Sequence, residues 1–430
     1  MTARGSRRRR TAAFVAAGIV AAAAAAVATV AWLNVRGEAP LEPDEIGAMG
    51  PTADRPALVA RGEYLARAGN CIGCHTAPGQ PELAGGGGIE TPFGTVHAPN
   101  ITPDAATGIG AWSRAEFRRA LHHGRSKDGR LLYPAFPYPS YTLVVREDAD
   151  ALFAYLRSVP PVRQENRPHA LRFPYSTQAA LAVWRALFFR PAMREAEAEP
   201  DRGRYLVQAL GHCAACHSGR NAWGAASART EFAGGLMPDG GWYAPSLASP
   251  AEAGVQDWPV AEVVRLLKTG ITDRASVTGP MAEVVHASTQ HLTEADLAAM
   301  ARYLAAIPRQ SAERTTTTAV AGTDALTLGA AVYARACADC HGARGDGVPG
   351  MVPALAGNRT VTHPRPNNVV QTIRQGGFPP TTPGNPRPFG MPPFAQALDA
   401  AELAAVATYI RQSWGNAAPA VMPLDVQRVR

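Results

Sequence analysis

The chain has 430 residues, room for two to four domains at roughly 150 residues each. Its 41 glycines and 37 prolines favour compact helical units joined by loops over one large sheet. Six of its 42 basic residues (Arg4, Arg7, Arg8, Arg9, Arg10 and Arg36) are the only charges before Gly37, and the 36 that remain nearly balance 35 acidic ones, which excludes the basic folded face that a nucleic-acid binder needs.

Residues 1–36 read as a transmembrane anchor or signal. From Ala12 to Leu33 the chain runs 22 residues without a charge, and at about 1.5 Å per residue this crosses a bilayer core of roughly 30 Å. The preceding RGSRRRR should stay cytoplasmic, so the body is exported. A cleaved signal usually has an apolar core of about 7–15 residues, which favours an uncleaved anchor; the small residues of the run leave cleavage open. A linker is predicted from Gly37 to Pro56.

Three similar units follow, over 56–160, 201–310 and 324–416. Each opens on a short predicted helix that ends in a cysteine motif: RGEYLARAGNC, RGRYLVQALGHC and LGAAVYARAC. In each, a glycine (Gly62, Gly203, Gly329) stands eight to ten residues before the first cysteine. The motifs are CIGCH at 71–75, CAACH at 213–217 and CADCH at 337–341, and they use all six cysteines of the chain. Two thiols at i and i+3 lie on one side of a helical turn, placed to form thioethers with one haem, and the next residue can ligate its iron. A single such motif could be a zinc or redox pair. A disulfide set, common in exported proteins, does not explain a histidine after every second cysteine. Cys71, Cys74, Cys213, Cys216, Cys337 and Cys340 are therefore read as haem-attachment residues, and His75, His217 and His341 as proximal iron ligands.

Downstream of each motif comes a proline step: Pro99-Asn100-Ile101, Pro245-Ser246-Leu247 and Pro353-Ala354-Leu355. A ligating histidine usually donates its second ring N–H to an outer acceptor, often a backbone carbonyl, and these prolines are the candidates. Each unit then closes on an acidic start and an apolar helix, EDADALFAYLRSVP, LTEADLAAMARYLAAIP and LDAAELAAVATYIRQSW. Leu152 and Leu156, Leu297 and Leu304, and Leu403 and Ile410 should face a core, and Tyr155, Tyr303 and Tyr409 are equivalent points. Counting back from these tyrosines places Met281 and Met391 as the sixth iron ligands of the second and third haems. Distal methionine raises the potential of a haem. Met237 and Met351 are rivals that more naturally pack. In the first unit the same offset lands on Phe136, which cannot ligate; His122, His123 and His97 are the nearest alternatives there.

The join 161–200 contains one predicted helix, Ala179 to Phe189, with Leu181, Trp184, Leu187 and Phe188 on an apolar face. It reads as packing between the first two units, or more sharply as a dock for a partner or the membrane surface. A threonine-rich join, SAERTTTTAVAGT, separates units two and three. The GGGG run at 85–88 lacks the context of a phosphate loop.

The motifs CIGCHT, APNITPDAATGIGAW, DGRLLYPAFPYPSY, GPMAEVV, CADCHGARGDG, PALAGN, GMPPF and YIRQSWGN together resemble the three-haem cytochrome c subunits of bacterial membrane-bound dehydrogenases that oxidise alcohols, gluconate or aldehydes. The resemblance runs from about Arg61 to Asn416. It implies an all-α fold of three tandem class I cytochrome c domains after the N-terminal anchor, and three covalently bound haem c groups. It also implies a non-catalytic, periplasmic subunit on the inner membrane. That subunit would pass electrons from a catalytic dehydrogenase partner to quinone or another acceptor. Alcohol-type members read YPAMPYPSY where this chain has YPAFPYPSY, and the phenylalanine form, with the segment 166–189, resembles cytochromes that accompany molybdenum hydroxylases with an iron–sulfur subunit. A quinoprotein or flavoprotein partner is the alternative. The competing function is a haem enzyme, peroxidase-like or sulfur-oxidising, using an open coordination site at haem 1.

Overall fold

The computed structural model describes residues 3–38, 41, 55–192, 201–227, 230–310 and 321–429. Residues 311–320 of the threonine-rich join, most of the 37–56 linker and residues 193–200 lie outside the described residues.

The first helix, α1 (Ala3–Val35), is uninterrupted, and its stretch Thr11–Val35 is long and apolar enough to cross a membrane by length and composition. None of its most apolar window is buried within the protein. The first unit comprises α2 (Arg55–Ala68), α3 (Cys71–His75), strands β1 (Gly88–Thr91) and β2 (Gly94–His97), α4 (Arg114–His123), α5 (Tyr138–Tyr141) and α6 (Arg146–Leu156). A short β3 (Ala170–Leu171) joins the edge of β2, and the three antiparallel strands run in the order β1-β2-β3. Ser113 and Glu116 form a reciprocal capping box that starts α4, and Gly124 ends it at φ 55°, as left-handed closures require. Next comes α7 (Gln178–Phe188), capped by Thr177.

In the second unit α8 (Arg202–Arg204) passes directly into a π-helical stretch, Tyr205–Leu210, followed by α9 (Ala214–His217), a two-stranded β4 (Gly235–Leu236) and β5 (Tyr243–Ala244), α10 (Val260–Thr269), α11 (Pro280–Ala287) and α12 (Glu294–Ala306). The third comprises α13 (Thr323–Ala336), α14 (Ala338–His341), α15 (Arg359–Thr362), α16 (Asn367–Gln375), α17 (Ala400–Gln412) and α18 (Pro423–Arg428). The architecture is helix-rich. The two small sheets are additions that the helical expectation did not contain.

In every unit the opening helix crosses the closing one at the recurrent glycine. A Cβ on Gly62 would lie 1.9 Å from the Ala151 carbonyl oxygen, one on Gly203 2.1 Å from that of Ala299, and one on Gly329 2.3 Å from that of Ala405. The next closest neighbours include the Cβ atoms of Tyr155, Tyr303 and Tyr409, the three tyrosines that the sequence pattern aligns. Leu152, Leu156, Leu297, Leu304, Leu403 and Ile410 are all buried. Units one and two share one apolar core, in which Leu65, Leu152, Val207 and Leu297 meet; unit three has its own, around Val332, Val370, Val406 and Val426.

Two expectations are corrected. The opening helices of the first two units do not run into the cysteine motif: Asn70 (φ 50°) and His212 (φ 38°) break the chain just before it. The motif then turns as a separate helix. In α7, Leu181 is buried but Leu187 is 56% exposed. The inner position one turn on from Leu181 belongs to Arg185, only 3% exposed, whose Nε donates to Asn34 Oδ1 at 3.0 Å. Asn34 Nδ2 in turn donates to the Ala182 carbonyl at 2.9 Å. α7 thus packs on the end of α1 as well as between the first two units, where Trp184 Nε1 reaches unit two at the Trp223 carbonyl, 2.9 Å away.

Candidate functional site

Each CxxCH motif forms a single helical turn, which sets its histidine at the end of the turn. What happens to that histidine is the same three times. His75 Nδ1 lies 2.7 Å from the Pro99 carbonyl oxygen, His217 Nδ1 2.7 Å from that of Pro245, and His341 Nδ1 3.1 Å from that of Pro353. A carbonyl oxygen only accepts, so Nδ1 carries the proton and Nε2 keeps its lone pair. That tautomer suits a metal ligand. Burial holds all three imidazoles below the ordinary histidine range, against the opposite pull of the carbonyl bond, so neutral rings are presented.

The loop that carries each proline is brought in by a glycine. The N–H groups of Gly85, Gly234 and Gly347 donate to the backbone carbonyls of His75, His217 and His341 at 2.7, 2.9 and 2.9 Å. All three glycines have positive φ, 82°, 78° and 65°. A Cβ on Gly85 would fall 2.5 Å from the Pro99 carbonyl carbon, one on Gly234 2.8 Å from Ser246 N, and one on Gly347 2.8 Å from Ala354 N. Only glycine allows the chain to pass between the histidine and its acceptor peptide. These three positions were missed in the sequence. The signal was present as GGGG, AGG and GDG after the three motifs, at unequal spacings that hid the equivalence.

None of the six cysteines is joined in a disulfide. Burial pushes Cys71 and Cys213 up to about 12 and Cys337 to about 11, which disfavours a thiolate-based redox pair. Among the described residues no three His, Cys, Asp or Glu side chains converge to hold a bare metal ion. Paired thiols on one turn, a neutral Nε2 beside them and an ordered Nδ1 bond fit a thioether-bound haem.

The candidate distal residues lie against the cores. Phe136 and Met281 pack on the core shared by units one and two, and Met391 on that of unit three. The Met391 backbone pairs with Gly377 in both directions, at 2.9 and 2.8 Å, which fixes its loop. Met351 is 49% exposed, and Met237 sits in the β4–β5 turn, its N–H on the Trp242 carbonyl at 2.8 Å. The Phe136 ring lies 5.4 Å from that of Tyr141. His97 is on β2, two residues before the Pro99 carbonyl that holds His75, and its Nδ1 is 2.9 Å from the Pro168 carbonyl, so it lies with the loop that carries the His75 acceptor. His123 lies at the C-terminal end of α4, its carbonyl bonded by Arg185, and burial lowers its pKa to about 4. The ring of His122 is 6.5 Å from it.

The motifs of units one and two abut. His212, immediately before Cys213, reaches the Gly69 carbonyl of unit one with Nε2 at 3.3 Å. Tyr141 donates to the same carbonyl at 3.2 Å, and its ring meets His212 edge-on at 5.6 Å. Ser288 Oγ bonds the Ala68 carbonyl at 3.3 Å, and α11 packs against α3.

Comparison with known proteins agrees with this geometry. The cytochrome c family model matches residues 59–160, 200–308 and 326–414. The chain is 39% identical over 402 residues to the cytochrome c subunit of an alcohol dehydrogenase (quinone) from Gluconacetobacter polyoxogenes, covering 88% of this chain and 85% of that one. It is 39% identical over 396 residues to the gluconate 2-dehydrogenase cytochrome c subunit of Pantoea cypripedii, covering 87% and 90%. One of the subunits of the nicotinate dehydrogenase of Pseudomonas putida is 37% identical over 396 residues, which make up 89% of this chain and 32% of that longer protein.

Proposed function

This chain belongs to the cytochrome c family, and on that premise we propose that it is the electron-transfer subunit of a membrane-bound dehydrogenase complex. It would take electrons from a separate catalytic subunit and pass them to quinone or another respiratory acceptor. Its relatives named as cytochrome c subunits of alcohol and gluconate dehydrogenases favour this over a haem enzyme. The observation that carries the proposal is the threefold repetition of a CxxCH turn whose histidine is held by a proline carbonyl.

Cytochrome c domains carry covalently bound haem c, and in this reading there are three. Cys71 and Cys74, Cys213 and Cys216, and Cys337 and Cys340 would form the thioethers, and His75, His217 and His341 would offer Nε2 to iron. Met281 and Met391 would supply a further ligand in units two and three. The bound haem supplies a one-electron iron couple. The chain's own residues do the rest: the proline carbonyls fix ring orientation, the apolar cores exclude water, and the Gly69–His212 contact holds the first two attachment motifs side by side. The class I domains would span 56–160, 201–310 and 324–416. A pyridine haemochrome assay and mass of the purified chain test this directly: three haems per chain are expected, and two or fewer overturn the assignment.

Residues 1–36 would form a retained inner-membrane anchor with the domains in the periplasm. The buried polar contacts of Asn34 with α7 support retention, since cleavage would take one hydrogen-bond acceptor from the buried Arg185. A mature mass lacking this segment would refute it. The partner would be a molybdenum hydroxylase with an iron–sulfur subunit, a branch supported only by Phe136 and the 166–189 segment. The near-equal identities of the relatives do not rank it above a quinoprotein or flavoprotein. Detergent-solubilised complex assayed for molybdenum and for pyrroloquinoline quinone decides between the branches.

A further inference from the structure

The three proximal carbonyls are chemically alike, but the peptides they belong to are not. A peptide group whose N–H is bonded to a strong acceptor becomes a stronger acceptor at its own C=O, because hydrogen bonds in a chain polarise one another. In unit one the peptide Pro99–Asn100 gives its N–H to the neutral side-chain oxygen of Asn166, at 2.6 Å. In unit two the peptide Pro245–Ser246 gives its N–H to the carboxylate Oε2 of Glu252, at 2.7 Å. Bonds to an ionised acceptor are roughly twice as strong as neutral ones.

Glu252 is itself held by unit three. His363 Nε2 lies 3.3 Å from Glu252 Oε2, with side chains 10% and 8% exposed. The Arg365 N–H donates to His363 Nδ1 at 3.0 Å, which leaves Nε2 as the ring's donor to the carboxylate. The ring meets that of Tyr243 at a tilt of 40°, centroids 4.6 Å apart. Arg359, also from unit three, donates to the Glu252 and Gly254 carbonyls at 3.2 and 2.9 Å, which clamps the loop that carries the carboxylate. Burial alone would raise the Glu252 carboxyl, but the bonds from His363 and the Ser246 N–H outweigh it and hold it below the usual carboxylate range. It is an anion aimed at the peptide that orients His217.

We propose that Glu252 is a positioning residue that sets the potential of the second haem by charging the peptide to which His217 is bonded, and that the docking of unit three through His363 and Arg359 controls this setting. The proposal rests on the haem reading above. A carboxylate behind the acceptor carbonyl draws the Nδ1 proton of His217 more strongly, gives the ring more anionic character and favours ferric over ferrous iron. The negative charge acts in the same direction through space. Unit one, with a neutral amide at the same place, lacks this effect, so the first two haems differ although both histidines are held by a proline carbonyl at 2.7 Å.

The test is spectroelectrochemical titration of the full chain, with haem count as the control. In Glu252→Gln an oxygen acceptor for the Ser246 N–H remains but the charge is gone; one of the three Nernstian components should move to higher potential while the other two stay. In His363→Phe the ring contact with Tyr243 is kept but a donor to Glu252 is lost. At slightly alkaline pH the same component should then move the opposite way. The hyperfine-shifted ring resonances of His217 should move in both variants and those of His75 in neither. A three-haem chain in which Glu252→Gln moves no component, or moves all three together, overturns the proposal and leaves Glu252 a structural carboxylate. A wild-type chain lacking thioether haem at Cys213 and Cys216 would overturn the haem reading itself.

Discussion

In units one and two the same two positions of the opening helix meet across the junction. Arg61 pairs with Asp148 of its own unit at 2.5 Å, and the other oxygen of that carboxylate accepts from Tyr205 of unit two at 2.7 Å. Reciprocally, Arg202 pairs with Asp296 of its own unit through two bonds of 2.9 Å, and Asp296 accepts from Tyr64 of unit one at 2.6 Å. The repeat RGEY and RGRY thus writes a self-complementary contact in which each unit completes the other's ion pair. Unit three carries LGAA there: Leu328 stands for the arginine and Ala331 for the tyrosine. Its equivalent acid, Glu402, turns to Arg335 within the same unit, at 2.6 Å. One repeat therefore docks in two ways. Units one and two fuse into a single core with their attachment motifs in contact, while unit three is joined by a polar seam at Glu252, Arg359 and the Asn368–Tyr243 pair, 2.8 and 2.9 Å.

The glycine crossings give the strongest way to break this comparison. Gly62→Ala drives a methyl into a backbone carbonyl, and overpacking of that kind costs about 1–3 kcal/mol or more. Because unit one shares its core with unit two, calorimetry should show both melting earlier together, with unit three unmoved. Gly329→Ala should lower only the third unit's transition. A Gly62→Ala chain in which unit two keeps its stability would show that the shared core is not cooperative.

Next in size is Asp148→Ala. Asp148 is 1% exposed and serves Arg61 and Tyr205 together. Bonds to a charged group contribute about 1.5–3 kcal/mol, so a loss of about 2 kcal/mol is expected in the joint transition of units one and two. Glu402→Ala, at the solvated equivalent in unit three, should change its own transition far less. Equal effects would mean that the burial of Asp148 carries no weight.

Smaller still are Tyr205→Phe and Tyr64→Phe, each removing one hydroxyl at about 1 kcal/mol. Burial, followed by the charge of Asp148, holds the Tyr205 hydroxyl well above the ordinary tyrosine range, so it stays a donor throughout physiological pH. These variants also test function, because the junction they loosen holds Gly69 against His212. Electron exchange between the first two haems should slow, measured by flash reduction, with the third unaffected.

The cradles were legible because covalent chemistry leaves little freedom. The motif spacing, the proline step and the helix-closing tyrosines are local patterns, and the carbonyl acceptors fall where the pattern puts them. What was not legible depends on pairs distant in sequence. Gly85, Gly234 and Gly347 act only when two loops meet. Arg185 occupies an inner helix position because Asn34, 151 residues away, supplies its acceptor. The strands β1 and β2 form by pairing Gly88 with His97 and Thr91 with Gly94, segments too short for an alternation of side chains to reveal.

The least disruptive substitution addresses the one position where the first unit departs from the others. Phe136 is half-buried on the shared core and its ring leans on Tyr141, so Phe136→Met keeps an apolar side chain of moderate size and should cost under about 1.5 kcal/mol. If Phe136 occupies the place that Met281 holds in unit two, the variant gives the first haem a thioether sulfur within reach. Its potential should rise and its reaction with carbon monoxide or cyanide, if open in the parent, should disappear. Met281→Ala is the converse: unit two should lose its sulfur ligand, become high-spin and fall in potential. The two variants exchange the ligation of neighbouring haems while leaving the Arg–Asp–Tyr junction intact. Unchanged spectra in both would mean that counting from Tyr155 and Tyr303 misplaces the distal residue. The distal ligands would then have to come from loops that the threefold pattern does not align.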